Sequence, residues 1–239
     1  MRFVPNIKER CCPTVTCEPS LKVKIQKVCS AFSLPTKVQA TAISLFKRFL
    51  LGTSLLQHNL KVMMLTSIYV ACKVEENYVS AEEFGKGMHE DASRVLNAEL
   101  TLLAGLSFQL VTYSPYRSIE GFHHDIRRKL SNAGGGEIGK LTEEKLDECV
   151  AVARKIADKQ LLTDAPLMHS PGKLALSALR SAARILDLEE VLQYVQGVEK
   201  QSIEGGEKGN ISQSLDAINE LVQVGASYLF SFGPVCLPL

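Results

Sequence analysis

Residues 61–77 read KVMMLTSIYVACKVEEN, and the fold turns on this stretch. From Val62 to Cys72 no residue carries a charge, and Thr66 and Ser67 are the small polar exceptions; Lys73, Glu75 and Glu76 then arrive together. An apolar run of about three helical turns is too short for a bilayer, which takes roughly 20 residues. It also lacks the alternation of a half-buried strand. A helix that is apolar all round is buried all round, as the central member of a helical domain. The charges at its end mark where it leaves the core.

The rest of the chain suits such a core. At 239 residues, 46% hydrophobic and with a net charge of +1, it reads as a globular protein of one large or two ordinary domains. Near-neutral charge argues against non-specific nucleic-acid binding, which needs a basic face to release counterions. The seven cysteines form no regular framework. Met1–Arg10 has no apolar core of a signal peptide, so the thiols are expected to be reduced, in the cytosol or nucleus. Trp is absent and aromatics are few, which leaves aliphatic helix packing to build the interior.

Periodicity predicts further helices at Lys37–Leu51, Ser80–Gly85, Ala92–Leu106, Tyr116–Leu130, Thr142–Leu161, Ser170–Leu186 and Ile211–Val222. Thr36 is expected as the first cap, with Lys47 and Arg48 facing out. Ser80 and Glu83 form a capping-box pattern. Ser170-Pro171 fits an N-cap followed by Pro at the first helical position, and also a proline-directed phosphorylation pattern. Residues 131–140 and 204–210 are Gly-rich loops, and the helical pattern stops between Phe108 and Tyr116, the expected domain boundary. A shift of 111 residues lays Lys37–Leu51 over Glu148–Leu162 and Met64–Cys72 over Ala175–Ala183. It matches Ala42 with Ala153, Leu45 with Ile156, Leu50 with Leu161, Leu65 with Leu176, Ile68 with Leu179 and Ala71 with Ala182. One offset for both helices points to a duplicated all-α domain.

Catalytic patterns are not found. Gly134–Lys140 (GGGEIGK) has half of a phosphate-binding loop, but Leu141 follows where Ser or Thr should ligate magnesium, and no strand precedes it. Cys11, Cys12 and Cys17 lack a second ligand pair at zinc-finger spacing. His58, His89, His123, His124 and His169 are scattered, and no serine sits in a GxSxG elbow. No cofactor, metal or catalytic residue is expected.

One charge stands out of place. In Ala92–Leu106 the apolar stripe of Val95, Leu96, Leu102, Leu103 and Leu106 is interrupted by Glu99. A carboxylate facing a core costs several kcal/mol unless paired. Lys73, at the end of the buried helix, is the expected partner.

The stretches KVQATAISLFKRFLL, MLTSIYVACKVEENYVS and LNAELTLLAGLSFQLVTYSPYRSIEGF resemble the first box of the cyclin family, its cyclin H branch above all, and LLTDAPLMHSPGKLALSALRSAAR resembles the second box. The resemblance implies two tandem cyclin-box helical domains of about five helices each, at 21–111 and 112–223, after an irregular segment 1–20 and before an atypical apolar tail 224–239. It implies no enzyme but a subunit that binds and activates a cyclin-dependent kinase. Lys73 and Glu99 match the family's kinase-contacting pair; Phe108 and Leu110 match apolar contacts, as do Val70 and Val74. For the cyclin H branch the implied kinase is the one that activates other cyclin-dependent kinases and phosphorylates the RNA polymerase II tail. A RING-finger assembly factor and general transcription factor IIH are the further partners. The nucleus is the implied location, with the cytoplasm as a second; neither membrane nor direct nucleic-acid contact is expected. Rival readings are a transcriptional cyclin of the C or T kind and a transcription-factor IIB-like core. The ends depart from the family: prolines crowd the segment before Leu21, and VGASYLFSFGPVCLPL matches nothing in it.

Overall fold

Asn59 sets the start of the central helix. In the structure, a computed structural model that describes residues 18–54, 57–88, 90–132, 141–204 and 211–231, its side-chain oxygen accepts the N–H groups of Lys61 and Val62. Two of the donors that a helix start leaves open are thereby met. The quoted run forms α3 (Leu60–Val74), and every residue from Val62 to Cys72 is buried. Thr66 and Ser67 return their hydroxyls to the carbonyls of Val62 and Met63 one turn back, so both polar groups are satisfied within the helix. Around α3 pack α1 (Glu18–Ala31), α2 (Thr36–Gly52) and α5 (Ala92–Gly105), with α4 (Ala81–Gly87) against α5.

The second half repeats the plan. It contains α6 (Pro115–Asn132), α7 (Glu143–Leu162), α8 (Ala165–Met168), α9 (Pro171–Ile185), α10 (Glu189–Glu204) and α11 (Ile211–Ser231). Among the described residues every regular element is helical, as the all-α expectation required. α9 is the buried centre, with α6, α7, α10 and α11 packed on it. The 111-residue shift carries the bounds of α3 onto those of α9. Both helices also end alike: Glu76 and Asp187 take φ of 56° and 53°, and the next N–H, of Asn77 and of Leu188, bonds the carbonyl of Cys72 and of Ala183. Ala42 with Ala153, Leu65 with Leu176, Ile68 with Leu179 and Ala71 with Ala182 are buried in both halves. Leu45 and Leu161 are buried, while their counterparts Ile156 and Leu50 are half-buried.

Several expectations are corrected. Lys47 does not face out: it is 1% exposed and donates to the carbonyls of Leu161, at 2.6 Å, and Thr163. The reason lies in α7, whose C-terminal carbonyls have no partner within their own helix and form its negative end. α2 packs on α7, and the ammonium satisfies that end. Lys22 to Asp164 (3.5 Å), the Gln26 side-chain amide to the Asp158 carbonyl (3.1 Å) and the Tyr116 hydroxyl to the Asp158 carboxylate add polar ties around α7. Thr36 is the first residue of α2 rather than its cap; Pro35 holds that place without a side-chain bond. Ser80 caps α4 through the Glu83 N–H, and Ser170 precedes Pro171 as expected, without a side-chain cap bond. α1 begins at Glu18, inside the segment read as irregular, because Pro19 is tolerated in a first turn that needs no N–H bond. α1, α8 and α10 have no counterpart among the helices that periodicity predicts, and α11 runs past Val222 to Ser231, through the expected start of the tail. The cysteines at 11, 12 and 17, His89, the GGGEIGK loop and residues 232–239 lie outside the described residues.

Candidate functional site

Lys73 stands in the last turn of α3 and Glu99 in the middle of α5, and the packing of these two helices brings them together. Lys73 Nζ donates to both Glu99 carboxylate oxygens, at 2.7 and 2.8 Å, and lies 4.7 Å from the centre of the Tyr69 ring. Loss of water alone would lower the Lys73 pKa; the bonds and charge of Glu99, with a smaller contribution from Tyr69, outweigh it and raise the pKa above the ordinary lysine value. The ammonium is held charged. The side chains of Lys73 and Glu99 are 49% and 21% exposed, so Glu99 lies at the edge of its stripe rather than inside the core. An exposed pair of this kind contributes well under 1 kcal/mol to stability.

The other four residues divide. Val70 is 2% exposed and packs in the core: one turn before Lys73, the helix is still fully enclosed. Val74 and Leu110 are half-buried against the core, each with an edge to solvent. Phe108 is 63% exposed. Leu96, Leu100, Val111 and Tyr113 are also exposed, which extends the apolar surface beyond the residues expected from sequence. Leu100 could have been read from its position beside Glu99, off the buried stripe. Val111 and Tyr113 lie in an irregular stretch, where periodicity carries no signal.

A hydrogen-bond chain ties the two parts of this surface. The Thr41 hydroxyl, on α2, donates to the Glu75 carboxylate at 2.6 Å, and Lys37 Nζ donates to the Glu75 carbonyl at 2.8 Å. With its one proton so placed, Thr41 accepts from the Thr112 hydroxyl at 2.9 Å. The exit of α3 and the stretch after α5 are thus both fastened to α2. Thr41 reads as an unremarkable interior residue in sequence, since only the fold brings residues 75 and 112 to it.

The three free cysteines among the described residues are buried. Burial pushes the Cys29 thiol up to about 12, helped by Cys72, and the Cys72 thiol up to about 11; at Cys149 burial and Glu148 push it to about 11. Thiols of that kind are poor nucleophiles. Among the described residues no group of three or more His, Cys, Asp or Glu side chains is placed to hold a metal ion, and no helix is long and apolar enough to cross a membrane.

Comparison with known proteins matches residues 19–111 to the family model described as cyclin, N-terminal domain, and residues 114–224 to the cyclin C-terminal domain. Cyclin-H1-1 of Arabidopsis thaliana is 43% identical over 202 residues, which cover 84% of this chain and 58% of that protein. Cyclin-H of Xenopus laevis is 35% identical over 168 residues, 65% of this chain and 48% of that protein. The chain spans about half the length of these curated relatives. Among solved structures, a chain of the yeast TFIIK (Kin28/Ccl1/Tfb3) complex superposes with a TM-score of 0.73 at 26% identity, over 90% of this chain and 89% of that one.

Proposed function

The chain belongs to the cyclin family, and from that premise we propose that it is a cyclin H-type regulatory subunit that binds and activates a cyclin-dependent kinase. The observation that carries this reading is the two-point Lys73–Glu99 pair at the surface, on a chain that also exposes Phe108 and Leu100. A kinase works only when its own catalytic Lys–Glu pair and its activation loop are placed together. A rigid partner that binds the active arrangement better than the inactive one shifts that equilibrium without doing chemistry itself. The half-buried apolar residues Val74 and Leu110, with exposed Phe108, supply area that a kinase helix would bury, and the ion pair supplies orientation.

The similarity to the two cyclin-H proteins, and to a chain from a complex named for Kin28, Ccl1 and Tfb3, supports the more specific assignment. On it, the kinase partner phosphorylates the activation loops of other cyclin-dependent kinases and the RNA polymerase II tail. A RING-finger assembly factor and general transcription factor IIH complete the setting, in the nucleus. The test is co-purification with the kinase, followed by phosphorylation assays on an activation-loop substrate and a polymerase-tail peptide. Lys73→Ala and Glu99→Ala are expected to leave the melting temperature nearly unchanged yet weaken kinase binding by about 2–4 kcal/mol, as truncation of a pair buried at an interface does. Wild-type binding by both variants contradicts the assignment of this surface.

A further inference from the structure

Among the described residues five that are not glycine have positive φ: Ser33, Glu76, Ser107, Phe108 and Asp187. Four of them share one slot. Each is the first residue beyond the cap of a helix, with the following N–H bonded to the carbonyl five residues back, the usual place for a left-handed residue. Phe108 is the exception. It stands one residue further on, at φ 57° directly after Ser107 at φ 52°, and a bulky side chain at positive φ is strained. The double left-handed turn leaves its ring in solvent, while Leu110 rests against the core.

Such a conformation persists only where its surroundings hold it. The Phe108 N–H bonds the Leu103 carbonyl at 2.9 Å, which fixes the near side of the turn. On the far side Arg48, from α2, donates Nη2 to the Gln109 carbonyl at 2.7 Å and Nη1 to the Val111 carbonyl at 3.5 Å. The carbonyls of residues 109 and 111 both face Arg48, and a planar guanidinium fork spans two such acceptors where a lysine cannot. Partial loss of water lowers the Arg48 pKa, and the two carbonyls stand in for that water.

We infer that Arg48 is a positioning residue, clamping Gln109 to Val111 so that the strained exit of α5 presents Phe108 outward before a partner arrives. This rests on the proposed kinase surface only for its purpose; the clamp itself is a property of the free chain. The first test is amide exchange in the free full chain. Arg48→Met is expected to speed exchange of the bonded amides of Ser107, Phe108 and Gln109 by about tenfold, with Arg48→Lys restoring little and α9 unchanged. Unaltered exchange at 107–109 overturns the inference, as does faster exchange that extends through α9. The second test is a double-mutant cycle on kinase affinity. Arg48→Met is expected to weaken binding about tenfold alone, to add little to Phe108→Ala, and to multiply fully with Lys73→Ala. Full multiplication with Phe108→Ala overturns the inference. If Phe108→Ala and Lys73→Ala both bind as wild type, the kinase surface fails, and the exchange result still decides Arg48.

Discussion

On the proposed reading, Lys73 matters little to stability and much to recognition. Its ion pair with Glu99 is half open to water, so the pair adds little to folding, but a partner that covers it removes the water that weakens it. The raised pKa fixes the sign of its pH dependence. Since the folded value lies above the unfolded one, near 10.5, the stabilisation is whole below about pH 10 and is lost as pH rises through the folded value. The difference in melting temperature between wild type and Lys73→Met is therefore expected to be small and constant from pH 6 to about pH 10, then to close above it. A difference that closes already between pH 6 and about pH 9 would assign the effect to other groups.

Helix ends and helix joins decide the elements. Gly105 closes α5 at the point where α2 comes nearest: a Cβ there would lie 2.7 Å from two ring carbons of Phe49. Gly105→Ala is expected to destabilise by about 1–3 kcal/mol through overpacking, read as a lower denaturation midpoint. Lys47 is the reverse case, a charge the join requires. Lys47→Met keeps the aliphatic stem but leaves the carbonyls of Leu161 and Thr163 without their ammonium, and a loss of about 2–3 kcal/mol is expected in the same measurement. Sequence reading ends this helix at Leu106, beside Gly105, but cannot show why a side chain is excluded there. It misplaced Lys47 because an amphipathic pattern shows which face is apolar, not which charge meets the end of a helix more than a hundred residues away. The same limit hid Arg48 and Thr41, whose partners are brought to them only by the fold.

Across the whole chain, two copies of one helical plan meet where α1 and α2 pack on α7, and the expected contact residues Lys73, Glu99, Phe108 and Leu110 all belong to the first copy. The duplicated plan was legible because α3 and α9 are the most enclosed helices, and enclosure forces a run of apolar residues that survives a 111-residue shift. The Lys73–Glu99 meeting was legible for a related reason: a charge interrupting such a run calls for a partner. The exposed apolar residues of the irregular stretch after α5 were not, since no period orders them. On the proposed reading this surface switches a kinase on, which is read in the rate at which a cyclin-dependent kinase of the activating type phosphorylates an activation-loop substrate, with and without the chain. The wild-type chain is expected to raise that rate at least about tenfold, and Glu99→Ala, still folded by its melting temperature, to abolish most of the gain. A rate unmoved by the wild-type chain in a complex shown to form, or a Glu99→Ala chain that activates as fully as wild type, would contradict it.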